Sequence, residues 1–248
     1  MNILQEIIGA NRSALEKKEL PERERPVNEK CFSKALRTHA CNIIAELKKA
    51  SPSKGVIRED FKPVELALEL EDAGAAALSV LTEKFFFQGS IEYLKAVGEV
   101  VKIPILRKDF IFDEYQLEEA FAYGADAVLL IAAALPEAEF KNLLNKAYEL
   151  KLEVLAEVHT VEELEFVLKT DAEIIGINSR DLKTFKTSDK LTKEMLSMIP
   201  NEILKVAESG LFEHNDLLNL KWLGADGFLI GEALMRSDNP GHKLRELL

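Results

Sequence analysis

At 248 residues, with 47% hydrophobic and 7% aromatic side chains, the chain can bury one large core, and an α/β barrel needs ~250 residues in one piece. A formal net charge of -11 argues against nucleic acid and anionic membrane as partners, so positive charge for an anionic substrate must be local. No apolar run approaches the ~20 residues of a membrane span, and residues 1–8 lack the basic region that precedes the apolar stretch of a signal peptide, so a cytoplasmic protein is expected. Cys31 and Cys41 have no metal-binding spacing and are expected as a reduced pair.

Residues 2–20 read as a helix, with Ile3, Ile7, Ile8 and Leu15 apolar among charges. Residues 19–26 mix charges between prolines and read as a solvated linker, followed by a short helix around 31–37. Residues 43–53 open as a buried strand. Alternation puts Ile44, Glu46 and Lys48 on one face and Ile43, Ala45 and Leu47 on the other. Two opposite charges therefore point the same way from a strand that otherwise reads as core, and burying charges is costly unless they are paired. A surface ion pair at the strand end is the competing reading. Residues 51–55 read as a polar loop able to hold an anion.

From there one unit repeats. Helix 63–73 leads to strand 76–81, helix 91–101 to strand 103–108, helix 113–123 to strand 127–131, and helix 136–150 to strand 153–158. Helix 161–169 leads to strand 174–178, helix 190–199 to strand 203–208, and helix 213–223 to strand 227–230, before a closing helix at 241–248. Trp222, in one of these helices, is expected as core or edge packing. Gly74-Ala75, Gly124-Ala125-Asp126 and Gly224-Ala225-Asp226 place glycine at helix exits, just before apolar strands. Eight short strands, apolar on both faces and each followed by a helix, predict an α/β fold, a (β/α)8 TIM barrel. The whole of 1–248 reads as one barrel domain with an N-terminal helical extension over 1–40. An open doubly wound sheet is the alternative, but no Gly-x-Gly-x-x-Gly follows an early strand.

Barrel active sites lie at the C-terminal ends of the strands. The polar residues there are Glu46 and Lys48, Lys108, Glu157, Asn178 and Glu208. Converging on one mouth, they suit proton transfer: lysines to protonate or polarise oxygens, glutamates to act as acid or base or to face a developing cation. A salt-bridge network closing the barrel top is the competing reading. Ser209-Gly210 and Ile230-Gly231-Glu232 follow the last two strands, where barrels frequently bind phosphate, and Ser51 and Lys48 add donors from the first strand. These glycines also fit plain turns. The run Phe85-Phe86-Phe87 either lines the mouth, where an aromatic ligand packs, or packs on the N-terminal helix. His159 and His214 read as solvated or capping residues, and no metal site is expected.

These segments together resemble the indole-3-glycerol-phosphate synthase family. The resemblance is carried by Glu46-x-Lys48-x-x-Ser51-Pro52-Ser53, Lys108-Asp109-Phe110, Asn178-Ser179-Arg180-Asp181-Leu182, Glu208-Ser209-Gly210 and Ile230-Gly231-Glu232, and runs in order over residues 43–236. It implies ring closure of 1-(2-carboxyphenylamino)-1-deoxyribulose 5-phosphate to indole-3-glycerol phosphate, with loss of carbon dioxide and water and no cofactor, in tryptophan biosynthesis. By this resemblance Lys108 is the general acid and Lys48 serves dehydration or the phosphate. Glu157 and Glu208 stabilise cationic intermediates, Glu46 partners Lys48, and Asn178 orients the substrate. Ser51, Ser209, Gly210, Gly231 and Glu232 are the phosphate positions, the last two through backbone N–H. Phe87, Leu129, Arg180, Leu182 and Ile230 enclose the anthranilate ring, with Arg180 near its carboxylate. Some relatives have a smaller polar residue at Glu232, so its side chain must point away from the phosphate. The partner is a small phosphosugar–anthranilate, and a monomer is expected. Phosphoribosylanthranilate isomerase and a non-catalytic phosphosugar-binding barrel are the competing functions.

Overall fold

A computed structural model describes residues 3–17, 19, 20, 30–178, 180 and 189–248. The linker expected at 19–26 lies mostly outside them. In chain order the barrel strands are β1 (Asn42–Leu47), β4 (Ala77–Leu81), β5 (Ile105–Lys108), β6 (Ala127–Ile131), β7 (Glu153–Val158), β8 (Ile174–Asn178), β9 (Leu204–Glu208) and β10 (Gly227–Ile230). All neighbouring pairs are parallel, and β1 closes the ring by pairing with both β4 and β10. The segment expected as a loop after β1 contains a small hairpin of β2 (Ala50–Ser51) and β3 (Gly55–Val56), tied down where Lys49 O accepts the N–H groups of Ile57 and Arg58.

The helices are α1 (Ile3–Ala14), α2 (Phe32–Ala35), α3 (Pro63–Asp72), α4 (Ile91–Gly98), α5 (Glu114–Ala122), α6 (Glu137–Glu149), α7 (Val161–Val167), α8 (Asp189–Met198), α9 (His214–Trp222), α10 (Glu232–Met235) and α11 (Pro240–Leu247). α1 stops at Ala14, short of the expected 20, and α10 is a single turn that hydrophobic periodicity does not reveal. Period-two alternation divides the core. Ile43, Ala45 and Leu47 pack outward against the helices, whereas Ile44 joins Ala77, Leu106, Leu129, Leu155, Val206 and Leu229 inside the barrel.

The end of the barrel away from the strand C-termini is closed by α2. Phe32 and Leu36 are buried in the interior cluster. The Glu153 carboxylate, at the start of β7, accepts the N–H groups of Phe32 and of Ser33 (3.0 Å), satisfying donors that a helix start leaves open. The repeated Gly-Ala-Asp turns share one job at the same end. Gly124 and Gly224 take φ of 101° and 96°, the left-handed conformation that ends a helix, and Asp126 and Asp226 accept an N–H near the start of the preceding strand, from Ile105 and Lys205 respectively, each at 2.9 Å.

One side chain differs from expectation: Trp222 is 88% exposed rather than packed, because it falls on the outward face at the end of α9. His214 takes the capping role expected of it: partly buried, its Nδ1 lies 2.8 Å from Leu247 O, the last carbonyl of the C-terminal helix. Cys31 is exposed and Cys41 buried, both as free thiols. No helix among the described residues is long and apolar enough to cross a membrane. Phe32→Ala opens a cavity in the barrel floor, far from the mouth. It is expected to cost about 3–5 kcal/mol, or roughly 6 °C or more in the thermal midpoint, while the folded fraction keeps its turnover.

Candidate active site

The inward positions that end β1, β5, β7, β8 and β9 bring Glu46, Lys108, Glu157, Asn178 and Glu208 to one mouth, with Lys48 just past β1. Lys108 Nζ lies 2.9 Å from Glu157 Oε2 and 3.4 Å from Glu208 Oε2. Asn178 donates its amide to Glu157 Oε1 at 3.2 Å and accepts the Ser209 hydroxyl at 2.8 Å. Lys48 donates to Glu46 Oε1. Inward glycines make room for this set. A Cβ on Gly176 would overlap Glu208 Oε1, and one on Gly231 would overlap Glu46 Oε1.

The electrostatics separate the two central glutamates. Burial opposes the charged form of Lys108, but Glu157, Glu208 and Glu46 outweigh it and hold the ammonium above its ordinary pKa. Burial would raise Glu157, yet Lys108 and His159 hold it well below the usual carboxylate range. Glu208 goes the other way: burial, then the Glu157 charge, push it up to about 8. Beside Lys108, Glu157 is therefore ionised and Glu208 keeps its proton near neutral pH.

His159 corrects the expectation of a solvated or capping residue. Its side chain is only 7% exposed, with Nε2 3.2 Å from Glu157 Oε1 and Nδ1 3.7 Å from Glu163 Oε2. The signal was available in the alternation of β7, because residue 159 shares the inward face of residue 157.

A cavity above this cluster is bordered by Ser51, Arg180, Ser209, Gly210, Gly231 and Glu232 on one side and by Phe87, Phe110, Leu129 and Ile131 on the other. Ser209 holds φ at 66°, a conformation that costs a non-glycine residue about 1–3 kcal/mol and clusters at ligand clamps. Phe87 stacks on Phe110 at 6.0 Å, and the loop carrying it is fixed by the buried Glu83 carboxylate, which accepts the N–H groups of Phe85, Phe86 and Phe87. Of the three phenylalanines, Phe87 lines the mouth while Phe85 is exposed, and Ile3, Leu4 and Ile7 of α1 border the same cavity. The apolar face of α1 was not placed at the cavity by sequence reasoning. Ile230 borders the cavity but packs mainly in the helix-facing core. Glu232 points its carboxylate at Arg236 (3.0 Å), Lys54 (3.8 Å) and Arg180 (3.8 Å); burial would raise its pKa, but these cations hold it low. Leu182 lies outside the described residues.

The sequence model described as indole-3-glycerol phosphate synthase matches residues 4–247. The chain belongs to the indole-3-glycerol phosphate synthase family. Curated relatives carrying that name include one from Campylobacter fetus subsp. fetus (strain 82-40), 51% identical over 84% of this chain and 81% of its own length. Another, from Aliarcobacter butzleri (strain RM4018), is 49% identical over 91% of this chain and 86% of its own. The activity is accordingly that of an indole-3-glycerol phosphate synthase, a decarboxylating lyase of tryptophan biosynthesis acting on a small molecule. Among solved structures, thiamine phosphate pyrophosphorylase from Pyrococcus furiosus superposes with a TM-score of 0.63 at 19% identity, covering 86% of this chain and 95% of its own. KGPDC from Streptococcus mutans gives 0.64 at 13%, covering 84% and 96%. These two share the barrel fold.

The raised pKa of Glu208 has a stability signature. The folded state keeps its proton between 4.5 and about 8, where the unfolded chain has lost it, so stability falls as pH rises through this window. Glu208→Gln removes the effect. The thermal midpoint of the variant minus that of the parent is expected to grow from pH ~5 toward pH ~8, measured by calorimetry in matched buffers.

Proposed function

We propose that the two lysine–glutamate groups at the mouth divide the ring-closure reaction of 1-(2-carboxyphenylamino)-1-deoxyribulose 5-phosphate between them. The observation that carries this reading is Lys108, held at 2.9 Å from Glu157 and 3.4 Å from Glu208 beneath a cavity with an apolar wall and a polar one. The ring carbon bearing the carboxylate attacks the sugar carbonyl. A new carbon–carbon bond forms, and the carbonyl oxygen takes a proton from the Lys108 ammonium and becomes a hydroxyl. The nitrogen is then an iminium cation facing the ionised Glu157. Loss of carbon dioxide returns the bonding pair and neutralises that cation.

Dehydration follows on the other pair. The hydroxyl leaves as water with a proton from Lys48, whose partner Glu46 holds it at the mouth, and the neutral Lys48 amine so formed takes the carbon-bound proton whose loss completes the indole. Glu208, poised near neutrality, is suited to exchange a proton with the intermediates. Asn178 aligns Glu157 and Ser209 through one side chain. Ser51, Ser209 and Gly210, with the backbone N–H groups of Gly231 and Glu232, take the phosphate. The Glu232 carboxylate is engaged by Arg236, Lys54 and Arg180, which leaves those N–H groups to the ligand. Phe87, Leu129 and Ile230 enclose the ring, and Arg180 meets the anthranilate carboxylate.

Indole fluorescence on adding the carboxyphenylamino-deoxyribulose phosphate reports turnover directly. Lys108→Ala is expected to lower kcat/KM by ~10²–10⁴-fold with an unchanged far-ultraviolet dichroism spectrum. Full activity in that variant contradicts the assignment of Lys108 as the acid.

A further inference from the structure

We propose that His159 is a positioning residue for the reaction, holding Glu157 Oε1 while Lys108 holds Oε2, with Glu163 as its own anchor. This rests on the assignment of Glu157 to the reacting centre. Glu157 Oε1 lies 3.2 Å from His159 Nε2, and its Oε2 lies 2.9 Å from Lys108 Nζ. Glu163 holds the backbone behind the imidazole, and the ring nitrogens meet their carboxylates as ion pairs rather than as hydrogen bonds. The Glu163 carboxylate accepts the His159 backbone N–H at 2.7 Å and stands 3.7 Å from Nδ1. Both ring nitrogens thus face carboxylates, which suits the doubly protonated ring.

Four elements around this pair bring titratable groups, while β6, which pairs with β7 beside Glu157, is wholly apolar. Glu163 belongs to α7, Lys108 to β5, Glu208 to β9 and Glu46 to β1, and the neutral Asn178 amide comes from β8. Read from α7 inward, the row alternates: Glu163, His159, Glu157, Lys108. Burial alone would lower the His159 pKa, but Glu157 and Glu163 push it up to about 10, so the ring is a cation wherever the enzyme works near neutral pH. A carboxylate between two cations is a poor base and a durable anion. Its part is then to face the iminium, which leaves proton exchange to Glu208. A histidine in a merely structural ion pair would affect stability and leave the chemistry alone.

The test measures kcat, KM and the pH dependence of kcat for His159→Leu, His159→Gln and Glu163→Gln, with Glu157→Gln as reference. His159→Leu is expected to lower kcat by ~10- to 100-fold, the size seen when a partner that orients a reacting group is removed. KM should stay within ~3-fold, and the acid limb of kcat should move to higher pH, because Glu157 has lost a cation. His159→Gln restores a donor without the charge, so it should recover part of kcat with the acid limb still displaced. Glu163→Gln should show a smaller fall in the same direction. A parental kcat and acid limb in His159→Leu overturns the proposal, as does a lowered thermal midpoint with both parameters unmoved. If His159→Leu does not fold, an unmoved acid limb in both His159→Gln and Glu163→Gln overturns it equally. Glu157→Gln separates the two levels. Retained activity there removes the assignment of Glu157 and this inference with it, whereas lost activity there beside a silent His159→Leu removes only the role of His159.

Discussion

The Lys108 ammonium stands between two buried carboxylates at the inner end of a barrel, and that arrangement constrains what surrounds it. Moving an ion out of water costs several kcal/mol even after relaxation, so a buried ammonium with carboxyl groups at 2.9 Å and 3.4 Å persists only if like charges are kept from meeting. The neighbours of the site satisfy this condition. Asn178 and His159 serve Glu157, while Glu208 escapes the like charge of Glu157 by keeping its proton. The result is a site whose protonation states are set before substrate arrives.

Closure of the sheet is what makes that cluster possible. β1, β5, β7, β8 and β9 contribute inward polar ends, and pairing of β1 with β10 brings Glu46 beside Gly231, just as β8 brings Gly176 beside Glu208. The inward glycines yield volume to the carboxylates at the crowded positions. At the opposite end Phe32 and Leu36 fill the same tube with hydrocarbon. One barrel therefore runs from a dry plug to a charged mouth within the length of its strands, and the apolar layers between them keep water away from the lower side of the carboxylates.

Much of this was readable from residues alone. The strands were visible because buried parallel strands are apolar on both faces, and the misplaced charges of Glu46 and Lys48 marked the mouth because core strands do not carry such pairs without cause. The Gly-Ala-Asp turns announced the helix exits, although not the strand N–H groups that Asp126 and Asp226 accept. His159 escaped although the alternation of β7 continues one residue past the strand to its inward face; the folded proximity of Glu157 and Glu163 then shows that it sits between two carboxylates. Ile3, Leu4 and Ile7 escaped for a related reason. An apolar helix face looks the same whether it covers a core or a cavity, and long-range docking of α1 decides which. Trp222 was misjudged because local periodicity is weak at the last residue of a helix.

The most direct test of the division between the two central glutamates is a carbon-13 NMR titration of the side-chain carboxyls in protein labelled at glutamate Cδ. One resonance is expected to titrate near 8, to vanish in Glu208→Gln, and to be joined by a Glu157 signal that stays ionised below the ordinary 4.5. A spectrum in which every glutamate has lost its proton by pH ~5 would contradict a protonated Glu208 and the separation of roles built on it.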